Sequence, residues 1–235
     1  ILARSLVLGN LRIWFSVAGR GSVAAITSSL SENGKSAVER FYLAAMIGIV
    51  PLGLLAHAYY YKNASMAVLN ALSRAVLPTS LVEASKEKPC FSETLRVWKL
   101  VQAFVFSLAL GFALLGNEVI GLLTNDKFID ASEYTVALIL ILLLQTSVKP
   151  HSTLLLSRGQ GHIQAHLNTF AIALALLWLF VSVPYVGVWG AISAFFLQIL
   201  IHRVGVFMAA NRLSRIPFPD LWVVIGIIVV CACML

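Results

Sequence analysis

Charge is what this sequence has least of. Only 11% of its 235 residues are Asp, Glu, Lys or Arg, against roughly a quarter in an ordinary soluble domain, and so little charge cannot cover a water-facing surface. Cysteine is scarce too. Cys90, Cys231 and Cys233 have no ligand-like histidine partners and no pairing pattern, so they read as small apolar filler and say little about redox compartment. Alternating polar and apolar segments of the kind that build a membrane barrel are missing. What is present is apolar: 60% of residues are hydrophobic and mean hydropathy is +0.90. Most of the chain falls into runs near the roughly 20 residues that carry a helix across a bilayer. These features predict an all-α, polytopic transmembrane helix bundle.

In a soluble chain the net charge of +7 would raise nucleic acid as a partner; in an apolar one the cations report orientation instead. Arg4 and Arg12 precede the first span. Lys86, Lys88, Arg96 and Lys99 fill one connection, Arg158 sits with His162 in another, and Arg203, Arg212 and Arg215 cluster near the end. Between them, Lys127 stands alone among Glu118, Asp126, Asp130 and Glu133. Every second connection is basic, which assigns those connections to the cytoplasm, with no call for nucleic acid.

The clearest expected spans are Trp98 to Leu115, Tyr134 to Leu156, Asn168 to Val183, Gly187 to Ala210 and Leu221 to the end, several separated by short polar turns such as "SRGQGH" and "RLSRIPFPD". The chain opens at Ile1 without Met or a signal peptide, and reads as a piece of something longer.

The segment "SSLSENGKSAVERF", Ser28 to Phe41, packs carboxylates and cations between apolar runs. It is either a loop before the span "FYLAAMIGIVPLGLLAHAYYY" or part of a helix inside the membrane, with the chain turning near Gly48 to Pro51. Helical periodicity favours the second. At about 100° per residue, Ser28, Ser31, Glu32, Lys35 and Glu39 share roughly one quadrant, with Ser22, Ser29, Ser36 and Arg40 beside it, while Val23, Ile26, Leu30, Gly34, Ala37 and Phe41 form the opposite face. Charged side chains at membrane depth face a bundle interior or water. The Gly-Lys-Ser of "SLSENGKS" is a chance likeness to a phosphate-binding loop, because Ser29 stands where the first glycine belongs and no strand precedes it.

"ERFYLAAMIG", Glu39 to Gly48, resembles the Asp-Arg-Leu-Leu-Leu-Gly-x-x-x-Gly run that opens the second half of polysaccharide flippases of the multidrug/oligosaccharidyl-lipid/polysaccharide exporter superfamily. Gly53 through Pro78 resembles their Gly-(Leu/Ile)-Tyr-x-x-Ala helix ending in proline. "VIGLLTNDKFIDA" is similar to a loop of that family, "LSRGQ" to its small-residue cytoplasmic turn, and "YVGVWGAISA" to its Gly-x-x-Gly-Ala-x-x-Ala helix start. The likeness runs from about Leu8 to Ile216. Glu39 replaces the usual Asp, Leu55 the usual Tyr, Tyr60 a common basic residue, and Asn125-Asp126 stands near the usual loop glycine.

The resemblance implies one lobe of a two-lobe exporter with about seven spans here: residues 1–20 an inter-lobe connection, 21–216 a carboxy-terminal six-helix lobe, and 217–235 an additional terminal helix. It implies a multi-pass protein of the cytoplasmic membrane that flips polyprenyl-pyrophosphate-linked oligosaccharide between leaflets, its partners being that lipid-linked sugar, membrane lipids and an amino-terminal lobe. A drug/cation antiporter of the same superfamily and a membrane polymerase or ligase are the alternatives. No nucleophile-base set can be assembled from the sequence, which speaks against an enzyme. No cofactor is implied beyond a coupling ion, H⁺ or Na⁺.

An anionic headgroup in a partly dry chamber needs cations. With the first span running outward from about Gly21 to Ile47 and a second helix returning from Pro51 to about Leu81, the candidates are Lys35, Arg40, Lys62, Arg74 and Lys149, joined by Tyr59, Asn63 and Asn70 for sugar hydroxyls. Lys62 either meets the headgroup or pairs with Glu32 or Glu39; Arg74 either lines the chamber or snorkels to the surface. Lys149 precedes Pro150, where a missing N–H loosens the helix as a gate or a plain bend. Glu32 and Glu39 either bind the coupling ion or form internal pairs with Lys35. His57, His151 and His166 are not spaced as metal ligands. Five cations against two carboxylates would leave a surplus of three at the chamber.

The cation bias makes a topological prediction. Asp130→Cys should be modified by a membrane-impermeant thiol reagent applied from outside the cell, and Arg212→Cys should be spared; the reverse pattern would overturn the orientation.

Overall fold

A computed structural model describes residues 26, 27, 29–85, 92–124 and 126–213. The expected 1–20 connection, Ser28 and the terminal helix over 217–235 lie outside them. The described residues are helical, with no strand among them. The helices are α1 (29–47), α2 (Ile49–Ser85), α3 (Ser92–Leu123), α4 (Ala131–Ser147), α5 (Lys149–Ser157), α6 (Gly161–Val186) and α7 (Val188–Asn211), with a single 3₁₀ turn at Asp126–Phe128.

Among the described residues five helical stretches are long and apolar enough to cross a membrane: Ile49–Glu83, Ser92–Leu123, Ala131–Ser157, Gly161–Val186 and Val188–Asn211. The sequence led to about seven. Two differences account for this: α1 carries Glu32, Lys35, Glu39 and Arg40, too much charge to count as an apolar span, and 217–235 is not described. The helices also overrun the expected limits. The 32 residues of α3 extend about 48 Å at 1.5 Å per residue, beyond a hydrocarbon core of roughly 30 Å. Arg96, Asn117 and Glu118 therefore belong to the ends of α3 and not to connections.

Gly48, with φ +86°, separates α1 from α2, at the turn the sequence suggested. That backbone region suits glycine because it has no Cβ. Large apolar residues of α1 lie exposed: Leu30 and Phe41 keep 72% and 80% of their surface. Its charged Glu39 is buried instead. This inverts a soluble amphipathic helix and is what lipid as solvent demands.

The axis of the bundle is α4. Its core positions point all round: Ile139, Leu142 and Leu143 pack with Trp98, Val101 and Val105 of α3 and Leu69 of α2. Leu138, Ile141 and Leu144 pack with Leu43, Leu55, Leu179 and Ile192. A helix apolar on every side is one enclosed on every side. The span expected as continuous over Tyr134–Leu156 is broken at Val148, between α4 and α5. Pro150 has no N–H to give to the Thr146 carbonyl. Hydroxyls soften the break: Thr146 Oγ1 and Ser147 Oγ donate back to the carbonyls of Leu143 and Leu144 at 2.9 and 2.8 Å.

Two close approaches fix the neighbours. Gly187, φ +58° and ψ −127°, turns α6 into α7, and a Cβ on Gly190 would lie 2.7 Å from the Val183 nitrogen. At the other end of α2, the buried Glu83 carboxylate accepts the backbone N–H groups of Glu93 and Thr94, each at 3.1 Å, and the Thr94 hydroxyl. Those amides are orphan donors of the first turn of α3, where the helix dipole also favours an anion.

Gly190→Val should therefore destabilise the fold by at least ~1–3 kcal/mol through forced separation of α6 and α7, read as a lower unfolding temperature in detergent. Gly111→Ala, with nothing within 4 Å of its added Cβ, should not; equal effects would refute the close approach as the cause. Glu83→Leu strands two amides at about 1–3 kcal/mol each, and Glu83→Gln, which keeps an acceptor, should lose less in the same measurement.

Candidate functional site

A cavity of about 800 Å³ is walled by α1, α2, α4, α5, α6 and α7. Of the residues singled out in the sequence, Glu32, Lys35, Glu39 and Arg40 of α1, Tyr59, Lys62 and Asn63 of α2, and Lys149 of α5 all line it. Asn70 and Arg74 do not: both are exposed further along α2. The reason is length. Arg74 lies twelve residues past Lys62, about 18 Å along the helix, and α2 has left the cavity by then. Four cations thus face two carboxylates, a surplus of two where three was expected. Ser31, expected on the same face, is not among the lining residues.

The polar face of α1 is fastened to three helices. Lys35 Nζ donates to Gln198 Oε1 of α7 at 2.6 Å and lies 3.8 Å from Glu39 Oε2, one turn along its own helix. The other oxygen of Glu39 accepts from the Tyr59 hydroxyl of α2 at 2.9 Å. Glu32 Oε1 accepts from Asn168 Nδ2 of α6 at 3.0 Å. A second link to α6 is Tyr42, whose hydroxyl donates to the Phe180 carbonyl at 3.0 Å.

Lys62 is placed differently. Its ammonium lies 4.6 Å from the centroid of the Phe195 ring and 5.5 Å from that of Tyr59. Among the described residues no carboxylate comes within ion-pair distance of it, and Glu39 and Glu32, engaged as above, act on its charge from further off. The pairing of Lys62 with either carboxylate, one of the two sequence readings, is not what the geometry shows. Lys149 is half-buried beside the break between α4 and α5. The wall there is set by Gln145, Val148, Lys149 and Ser152 together.

Several lining residues escaped the sequence reading: Gln145, Asn168, Phe195, Gln198 and His202. A signal existed for some of them. Gln198 and His202 are four residues apart in an otherwise apolar span, and Gln145 ends the run "LILILLLQ"; polar side chains inside apolar spans mark an interior face. Gln145 Oε1 and His202 Nε2 are buried with no hydrogen-bond partner among the described residues, so the wall carries unused hydrogen-bonding capacity.

The histidines considered in the sequence sit elsewhere. His57 stacks on Phe128 at 4.6 Å, His151 is buried with its ring 5.4 Å from that of Phe207, and His166 is exposed near His162. Among the described residues no three His, Cys, Asp or Glu side chains converge as a metal site would require.

Chemically, the cavity offers ammonium and guanidinium donors, carboxamides and aromatic faces in one place, the set that binds phosphate oxygens and sugar hydroxyls. No protein-family model, curated protein or solved structure matches this chain.

Proposed function

We propose that this chain is one lobe of a two-lobe exporter that passes an anionic, sugar-bearing lipid headgroup across the cytoplasmic membrane. The substrate class is polyprenyl-pyrophosphate-linked oligosaccharide. The observation that carries the reading is Lys62, an ammonium inside an 800 Å³ cavity with aromatic rings for neighbours and no carboxylate within ion-pair distance, Glu39 and Glu32 acting on it only from further off. A cation only partly compensated in a bundle interior is costly, and a mobile anion is the further compensation that also gives it a task. Arg40 and Lys149 add charge of the same sign. Tyr59, Asn63, Gln164 and Asn168 add the aromatic and amide groups that suit sugar hydroxyls.

In this scheme the second lobe supplies the facing wall, and the two lobes rock about the headgroup so that the cavity opens to one side at a time. Glu32 and Glu39 are the candidates for the coupling ion, H⁺ or Na⁺, since each already sits among donors that a change of charge would rearrange. A cationic drug as cargo fits less well, because four cations against two carboxylates repel it.

Each cation-phosphate contact is worth on the order of 1.5–3 kcal/mol as a charge-assisted hydrogen bond. Lys62→Gln in the complete two-lobe protein should therefore slow export of lipid-linked sugar about tenfold or more at equal expression, and Lys62→Arg should retain more activity than the glutamine variant. Surface-polysaccharide assembly in cells that depend on the protein is the readout. Full complementation by Lys62→Gln would remove the basis for this function.

A further inference from the structure

Lys35 and Lys62 come from different helices, yet both ammonium groups lie against one ring. Lys62 Nζ is 4.6 Å and Lys35 Nζ 5.0 Å from the centroid of Phe195. Two points within 5.0 Å of a third are at most about 10 Å apart, close enough for like charges in a poorly hydrated space to repel. We propose that Phe195 is the positioning residue of a two-cation subsite, holding Lys35 and Lys62 together so that the pair grips a diphosphate. This rests on the anionic-headgroup reading above.

Phe195 is buried at 8% exposure among Ile192 and Ile199 of its own helix, Leu, Ala and Val of its neighbours and the Tyr59 ring. What the ring adds is the negative face of its quadrupole, which attracts a cation at this distance. Tyr59 contributes a second ring to Lys62, at 5.5 Å, and stands edge-on to Phe195 with centroids 6.3 Å apart. Three residues along α7, Gln198 points to the same place and takes a hydrogen bond from Lys35. One face of α7 therefore fixes Lys35 through an amide and shares the ring between both lysines.

Roles divide within the unit. The positive charge of Lys35 is partly answered by Glu39, so Lys35 supplies direction. Lys62 has no carboxylate within ion-pair distance, Glu39 and Glu32 answering it only from further off, and it supplies more of the net charge. A ligand with two adjacent anionic groups meets both, whereas a single phosphate meets one fully and the other partly. The chemistry is shared by a lipid diphosphate and by free inorganic pyrophosphate, which makes the latter a usable probe.

The test is a series of isosteric replacements at Phe195 with mono-, tri- and pentafluorophenylalanine, which drain the ring face without changing the packing much. Inorganic pyrophosphate binding to the purified full chain is measured by calorimetry, with unfolding temperature as the folding control. Affinity should fall stepwise with fluorine number, about fivefold or more for Phe195→Leu, and Phe195→Trp should keep the parent affinity. Pyrophosphate should bind at least tenfold tighter than orthophosphate. A flat fluorine series, with Lys62→Gln still weakening binding, would overturn the role of Phe195 and leave the anionic cavity standing. Equal affinity for orthophosphate and pyrophosphate would overturn the diphosphate assignment. Pyrophosphate binding that is absent, or indifferent to Lys62→Gln, would overturn both this subsite and the headgroup reading beneath it.

Discussion

The arrangement depends on how α1 neutralises its own charges inside an apolar bundle. A lysine or arginine near the centre of a membrane-inserted helix costs about 2.5–3.5 kcal/mol on insertion scales, and α1 carries four charged side chains within nine residues. It is held because three of them, Glu32, Lys35 and Glu39, have partners on other helices. Glu39 is shared between Lys35 and Tyr59, Lys35 reaches Gln198, and Glu32 takes Asn168. These contacts position α1 against α2, α6 and α7, and the cavity is the space they enclose. Were the polar face turned to lipid, neither the helix nor the cavity would be stable.

The second determinant is the interrupted axis. α4 is enclosed by α2, α3 and α7, with its leucines and isoleucines fully buried, and rigidity there follows from close packing. At Val148 the rod breaks, inside the polar stretch from Gln145 to Thr153. Irregular backbone at membrane depth is tolerated where protein or a cavity takes up the freed groups. Here both happen: Thr146 and Ser147 bond back to the helix, while Gln145, Lys149 and Ser152 turn to the cavity. The same Pro150 that weakens the helix thus brings a cation to the site.

Much of this was legible in sequence because the signals are local. The inward face of α1 follows from a 100° period over Glu32, Lys35 and Glu39, the turn at Gly48 from glycine and proline punctuation, and the weak point of the Tyr134–Leu156 span from Pro150, although a full break at Val148 was not expected. Partner choice was not legible. Nothing in the order of residues says that Glu39 would go to Tyr59, twenty positions away, or Lys35 to Gln198, 163 positions away, and so Lys62 was left with a carboxylate as one of two readings. Glu83 was missed for a related reason: its partners are backbone amides, which no residue pattern records. Asn70 and Arg74 were grouped with the site because helical phase tells which way a residue faces but not where along a 37-residue helix the cavity ends.

In the proposed transport role, the contrast between Lys35 and Lys62 has a physical use. An ammonium already matched by a carboxylate has little attraction left for a passing anion, while one that is wholly unmatched would drive the helix apart or lose its proton. Aromatic faces give an intermediate condition. A cation-π contact is worth about 0.5–2 kcal/mol, enough to keep the charge in place and far short of what was lost on leaving water. The balance remains available to a ligand that brings negative charge, and it is surrendered again when that ligand departs. A site that must release what it binds is better served by such partial compensation than by a full ion pair.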